Sequence, residues 1–204
     1  MIHSNYRQLT LSDLESAAQV LAQSFEEDPL ISFILPKQKT HVKTVAKFFS
    51  AIGRLAIKNG LAFGVSEPLE GVAIWNFPDK PSISVSPKDL MIFLPLLFSY
   101  YPIGAQRALP VFHQIEANHK KYASEPHFYL DNLGVLASAR GKGLSSKLIR
   151  PFLQMADEQK VIAYTDTVTK SNVPLYEHFG FECVEENFIQ ETGITVHALR
   201  RPIM

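Results

Sequence analysis

The stretch from His127 to Leu153 constrains this chain more than any other. HFYLDNLGV is apolar and aromatic enough for a buried strand, LASARGKGLSS is small, basic and glycine-bearing, and KLIRPFL has helical spacing. A strand, a tight loop and a helix start thus follow one another directly. The first amides of a helix have no intrahelical acceptor and its dipole adds partial positive charge, so such a junction suits an anion. Gly141 and Gly143 let the backbone approach a ligand closely, and Arg140 and Lys142 add charge, which points to phosphate binding. The loop lacks the Gly-Lys-Ser/Thr ending of a P-loop and does not fit the dinucleotide fingerprint GxGxxG.

Around this junction the chain alternates strands and helices. Tyr6–Leu9 reads as a first strand, and Ser12-Asp-Leu-Glu15 has capping-box spacing ahead of a helix carrying Leu14, Ala17, Ala18, Leu21, Ala22 and Phe25 on one face. The acidic turn Glu26-Glu27-Asp28-Pro29 ends that helix, and a short apolar piece, Leu30–Leu35, follows. Val42 to Ala56 keeps helical spacing up to the stop at Asn59-Gly60, and Leu61–Val65 and Gly71–Phe77 read as an antiparallel pair. Ser86 to Tyr122 reads as two inserted helices broken around Tyr101–Gly104. Beyond the loop, Leu144 to Ala156 forms a helix in which Pro151 forces a kink or a local adjustment. Val161–Thr167 then returns parallel to the strand at His127, because a helix connects them. A short helix capped by Ser171 or Asn172 and ended by Gly180 leads to two closing strands, Phe181–Ile189 and Ile194–Leu199.

The 204 residues are most simply one domain, 1–204, and Lys plus Arg equals Asp plus Glu at 20 each. No overall field favours nucleic acid or an anionic membrane. The longest apolar run, Met91–Tyr101, contains Pro95 and is too short to span a bilayer. The first residues lack a signal peptide's apolar core, so a cytoplasmic protein is the default. Cys183 is the only cysteine, and the histidines form no close ligand pattern along the chain, so no metal is expected.

Two motifs carry a family resemblance. Arg140-Gly-Lys-Gly-Leu-Ser145 resembles the Arg/Gln-x-x-Gly-x-Gly/Ala signature of the GNAT superfamily of N-acetyltransferases, with Ser145 standing where Gly or Ala is usual. Asn172-x-x-x-Tyr176-x-x-x-Gly180-Phe181 resembles that family's second signature, and the two occur in the family's order. EDPLISFILP, VAIWNFP, EPHFYLDNLGV, GKGLSSKLIRP and SNVPLYEHFGF further resemble segments of the puromycin N-acetyltransferase subgroup. The resemblance implies an α/β (α+β) GNAT fold: a mixed central sheet of about six to seven strands splayed at the acetyl-CoA site, helices on both faces, and the two-helix insertion between strands three and four.

It also implies transfer of an acetyl group from acetyl-CoA to a primary amine by direct attack in a ternary complex. Leu133, Gly134 and Val135 correspond to the strand that pairs with pantetheine, beside a bulge that frees an N–H for the thioester oxygen. Arg140, Gly141, Lys142, Gly143, Leu144, Ser145 and Ser146 correspond to the pyrophosphate loop, and Asn172 and Tyr176 to groups near the coenzyme. An amine must lose a proton and the departing thiolate benefits from an acid. Tyr176 is the candidate acid, although its spacing alone reads as a core aromatic. Strand alternation puts Tyr129 and Asp131 on one face, making Asp131 the candidate base and Tyr129 an acceptor-placing group; Asp131 reads equally as a strand-end hydrogen-bonding residue. Glu27 and Asp28 are candidate contacts for a cationic acceptor, or simply a solvated helix end. The aromatics of the insertion, from Met91 to Tyr101, are core packing or an acceptor wall. Rival readings are an acetyltransferase acting on protein amines, a non-catalytic acyl-CoA sensor of the same fold, and a nucleotide-binding protein. Monomer and homodimer remain equally open.

Overall fold

A computed structural model describes residues 6–35, 41–78 and 104–204. Its centre is a seven-stranded sheet in the order β1-β2-β3-β4-β5-β7-β6. The strands are β1 (Tyr6–Gln8), β2 (Ala62–Val65), β3 (Gly71–Asn76), β4 (His127–Val135), β5 (Ile162–Thr167), β6 (Glu182–Ile189) and β7 (Ile194–Arg201). Neighbours run antiparallel except β4 and β5, which are parallel because α5 (Leu144–Gln159) connects them.

The remaining helices are α1 (Leu14–Ser24), α2 (Pro29–Ile34), α3 (His41–Lys58), α4 (Gly104–Tyr122) and α6 (Val173–Glu177). α4 is the second of the two inserted helices expected between strands three and four. The first, with Met91, Phe93, Phe98, Tyr100 and Tyr101, falls outside the described residues.

Each sheet face is covered by the apolar stripes read from the sequence. On one face Ala17, Leu21, Val45 and Phe49 of α1 and α3 pack with Val72 and Ile74 of β3, and Tyr122 at the end of α4 and Ala123 just after it pack on Tyr164 of β5 and Ala198 of β7. On the other, Leu148, Ile149, Phe152 and Ala156 of α5 pack on Ala73, Trp75, Phe128 and Leu130. Trp75 and Phe152 stack with ring centroids 5.1 Å apart, and the indole N–H donates to Leu148 O at 3.0 Å. Complete burial of two such rings contributes about 2–3 kcal/mol each. α5 runs continuously through Pro151, held against the sheet by this contact in the same turn.

Two local expectations shift. The N-terminal cap is built by Thr10 and Asp13 rather than by Ser12 and Glu15. The Thr10 amide donates to Asp13 Oδ2 at 2.8 Å, while Arg7 grips both Asp13 oxygens at 2.7 and 2.8 Å and holds that carboxyl well below its usual range. The piece after the acidic turn is helical, because Asp28 caps it by accepting from the amides of Leu30 and Ile31, both at 3.0 Å, with Pro29 in the first turn.

Candidate active site

β4 and β5 pair only over His127–Leu130 and Ile162–Thr165. At Leu130 the strand also loses simple register with β3: Trp75 faces Leu130 while Ile74 faces Asn132, so Asp131 is the extra residue of a bulge. Thr165 Oγ1 donates to Leu130 O at 2.8 Å and closes the paired part of the two strands. Beyond it the strands diverge, and the side of β4 that faces β5 has no strand partner from Asp131 to Val135 among the described residues. A crevice opens at the carboxyl ends of two parallel strands, where binding sites in such sheets lie.

Two cavities meet there. The smaller, about 250 Å³, is walled by Phe25, Ile31, Phe49, Ile52, Phe112 and Ile115, and it holds Tyr129, Asp131, Asp166 and Asp28. Its lining contains no Lys, Arg or His among the described residues. The larger, about 710 Å³, runs past Leu133, Val135, Arg140, Gly141 and Gly143 to the first turn of α5 at Leu144, Ser145 and Ser146, and on to His178 and Phe179. Phe25, Asp28, Leu133, Asn172 and Tyr176 border both.

Burial sets the electrostatics of the smaller cavity. It pushes the Asp131 carboxyl up from 3.8 to about 6, against a hydrogen bond from Asn132. It pushes Asp166 up from 3.8 to about 7, with the charge of Asp131 adding to the rise and the Tyr129 hydroxyl, which donates to Asp166 Oδ2 at 2.9 Å, opposing it. Asp28 is also raised by burial, although two amides and the Thr169 hydroxyl hydrogen-bond to it. Tyr176 is kept protonated: burial first, then the nearby Asp166 and Asp28, push its phenol far above the usual range.

The larger cavity has the features of a pyrophosphate cradle. Gly141 and Gly143 adopt φ of +79° and +72°, and a Cβ built on either meets no atom within 4 Å, so both face open space. The first amides of α5 lack intrahelical acceptors and open onto that space. These residues fit an extended ligand with phosphates at one end.

The candidate residues read from the sequence mostly converge. Leu133, Val135, Arg140, Gly141, Gly143, Leu144, Ser145 and Ser146 line the larger cavity, Tyr129 and Asp131 the smaller, and Asp28, Asn172 and Tyr176 both. Three sit differently. Lys142 turns its ammonium to Glu70, 3.2 Å away. Gly134 is buried where β4 crosses α1, and a Cβ there would come within 3.0 Å of Leu21 and Ser24. Glu27 lies beside the larger cavity and not the smaller. The residue that sequence reading misses is Asp166. Its signal is parallel register: Tyr129 pairs with Tyr164, so two residues further on Asp131 and Asp166 stand on the same face of the diverging strands.

Comparison with known proteins finds relatives of this chain. The acetyltransferase (GNAT) domain matches residues 115–201. An uncharacterized N-acetyltransferase of Schizosaccharomyces pombe is 26% identical over 186 residues, covering 86% of this chain and 73% of the relative. A probable serine/threonine-protein kinase of Dictyostelium discoideum is 23% identical over 190 residues, or 85% of this chain, which spans only 20% of that protein. Among solved structures, a histone acetyltransferase HPA2 and related acetyltransferase of Corynebacterium glutamicum superposes with a TM-score of 0.65 at 20% identity, covering 98% of this chain and 96% of that one. Arylalkylamine N-acetyltransferase 2 of Aedes aegypti gives 0.64 at 16% identity, covering 98% of each. Such distant structural likeness speaks to fold, and the domain match to residues 115–201 speaks to the kind of enzyme. Residues 115–201 match an acetyltransferase (GNAT) domain, and that match together with the N-acetyltransferase relative supports an acyltransferase enzyme.

Proposed function

We propose that this enzyme transfers the acetyl group of acetyl-CoA to the primary amine of a small cationic molecule with an apolar body, directly within a ternary complex. The observation that carries this reading is the junction of the two cavities at Leu133, Asn172 and Tyr176, with, among the described residues, three carboxylates and no basic side chain on the acceptor side. The arylalkylamine acetyltransferase among the structural neighbours is consistent with such an acceptor. The likeness to the puromycin subgroup rests on short segments and does not choose the acceptor.

Acetyl-CoA supplies an acyl carbon made electrophilic by its thioester. Arg140 and the amides of Gly141 to Ser146 hold its phosphates, and the unpaired edge of β4 at Leu133–Val135 receives the arm that carries the acyl group. Asp28, Asp131 and Asp166 attract the ammonium, while Phe25, Phe49 and Phe112 cover its apolar body. A free alkylammonium titrates near 10.4, so transfer to a carboxylate at about 7 is uphill by roughly 4–5 kcal/mol in water. Burial of the amine lowers that gap, because desolvation disfavours the ammonium as it disfavours the carboxylate. Asp131 and Asp166 together accept the proton, and Tyr176 donates a hydrogen bond to the leaving sulfur. One ammonium proton leaves to solvent through the carboxylates, the nitrogen gains the acyl carbon as the carbon–sulfur bond breaks, and the second nitrogen proton ends on the thiolate, which Tyr176 protonates before being reprotonated in turn.

The test is thiol release with saturating acetyl-CoA and three acceptor types: an arylalkylamine, a linear polyamine, and a peptide with a free N-terminus and lysine. A higher kcat/KM for small amines than for the peptide is expected. Preference for the peptide, or no release above hydrolysis with any amine while acetyl-CoA still raises the melting temperature, overturns the reading.

A further inference from the structure

A second cluster of reactive side chains lies on the closing hairpin, away from the acetyl-transfer cavities. Cys183 Sγ, a Glu186 carboxylate oxygen and a His197 ring nitrogen all fall within 4.8 Å of one another. The sequence hides this set, since Cys183 and Glu186 are three positions apart and strand alternation would put them on opposite faces. A bulge between Cys183 and Glu185 resets the alternation: Cys183 pairs with Leu199, Glu186 pairs with His197, and Leu199 and His197 are two residues apart on β7. All three side chains therefore project from one face. It is the face that packs on α5, because Leu199 lies in that core. Asp166, paired with Ala198, lies on the other.

The His197 side chain points to a ligand independently of the clustering. The residue is only 1% exposed, and its Nδ1 is buried with no hydrogen-bond partner. The nearest acidic atom, Glu186 Oε1, is 3.4 Å away and makes an ionic contact only if the ring is protonated. The same Oε1 lies 4.0 Å from Cys183 Sγ. Buried polar atoms are seldom left without partners, so an orphaned imidazole nitrogen facing a thiol and a carboxylate calls for an additional group.

We propose that Cys183, Glu186 and His197 bind one divalent transition-metal ion, with Zn²⁺ the best match to the donors. A thiolate, an imidazole and a carboxylate suit an ion of borderline softness, and the two negative ligands balance its charge. With Zn–S near 2.3 Å and Zn–N and Zn–O near 2.1 Å, tetrahedral ligands stand about 3.4–3.7 Å apart. The Nδ1–Oε1 separation of 3.4 Å already meets this, and Sγ, 4.0 Å from Oε1 and within 4.8 Å of the ring nitrogen, needs to close by about 0.4 Å on the first and by no more than about 1.2 Å on the second. Binding replaces the thiol proton: Cys183 releases H⁺ to solvent as the metal–sulfur bond forms, and His197 binds through its neutral Nδ1. Glu186, half exposed, gives the ion an entry path and leaves a fourth position for water. On the opposite face from Asp166, the ion clamps β6 to β7 and takes no part in acetyl transfer.

The full-length chain, reduced and stripped with EDTA, is titrated with CoCl₂ and then ZnCl₂. One equivalent of Co²⁺ should produce a thiolate-to-metal charge-transfer band in the near ultraviolet, and Zn²⁺ should displace it. Cys183→Ser should abolish the band. Glu186→Gln, at an exposed position, should fold normally and weaken Zn²⁺ binding at least tenfold, measured by competition with a chromophoric chelator. An ion held instead by the acidic cavity, or by the His119–His127 pair whose Nε2 atoms lie 2.6 Å apart, gives no such band. Absence of the band, or a loss of less than tenfold in either variant, overturns the site. Acetyl-transfer activity is not the readout, so this result and that of the amine screen stand apart.

Discussion

Replacing Asp166 by Asn should stabilise the protein at alkaline pH while impairing turnover. The folded Asp166 titrates at about 7 against an ordinary 3.8, chiefly because burial disfavours its charge. Its folded value is raised, so between about pH 4 and about pH 7 the native chain keeps a proton that the unfolded chain gives up, and stability falls as pH rises through that window. The rise from 3.8 to about 7 sets a ceiling of about 4 kcal/mol at 1.36 kcal/mol per tenfold. Asp166 borders a cavity and its oxygen already accepts from Tyr129, so screening brings the expected cost to about 1–2 kcal/mol. Asn is nearly isosteric and keeps an oxygen for the Tyr129 hydroxyl. For a chain of this length the gain corresponds to a rise in melting temperature of roughly 2–8 °C at pH 8. At pH 4 little difference should remain. Thermal unfolding of parent and variant at both pH values, together with thiol-release kinetics on an accepted amine, tests this. A variant less stable than the parent at pH 8, or one stabilised equally at pH 4 and pH 8, refutes the claim that a confined negative charge at Asp166 strains the fold.

Tyr176→Phe should lower kcat by about 10²-fold or more while leaving KM for acetyl-CoA within about threefold, since the lost hydroxyl acts on the leaving sulfur; steady-state kinetics with both substrates varied decides it. The pH profile of kcat/KM should fall on the acid side through about 6–7 as Asp131 and Asp166 take up protons, and a flat profile between pH 5 and pH 8 contradicts their role. Arg140→Ala should weaken acetyl-CoA binding by about tenfold, and Lys142→Ala by less than about threefold, because Lys142 is spent on Glu70; titration calorimetry separates the two. Gly143→Ala should cost about 1–2 kcal/mol of stability, because φ of +72° is unfavourable for any residue with a Cβ even where space is open; thermal unfolding reads it.

Much of the fold is legible in the sequence wherever its determinants are local. The stripes of α1 and α5, the stop at Asn59-Gly60 and the turn Glu191–Gly193 depend on neighbours a few residues away, and each element lies within a residue or two of its expected place. The cradle formed by Arg140 to Ser146 is legible for the same reason, since a strand, a glycine-bearing loop and a helix start adjoin along the chain. What escapes is decided across space. Whether Lys142 reaches a ligand depends on Glu70 at the β2–β3 turn, and whether Glu27 or Asp28 faces an acceptor depends on which of them caps α2. Asp166 escapes because it acquires a role only when the parallel register sets it beside Asp131.

The register shifts in β4 and β6 both lie where reactive groups gather. In β4 the extra residue at Asp131 ends pairing with β5 and opens the crevice, so the acids enter a cavity instead of facing a continuous sheet. In β6 the extra residue near Val184 turns Cys183 onto the face of Glu186 and His197. A regular sheet would have sent Cys183 and Glu186 apart and kept β4 hydrogen-bonded to β5 along its length, with no edge left for a ligand. A bulge gives up a ladder bond and adds twist, and it persists where the surrounding packing enforces it. Here the enforcement is visible: Leu130 and Trp75 are locked in the α5 core on one side of the first bulge, and Val184 and Ala198 are held beneath α4 beside the second. Core packing therefore sets both sites, and substitutions that let either strand return to regular pairing should disable chemistry before they unfold the chain.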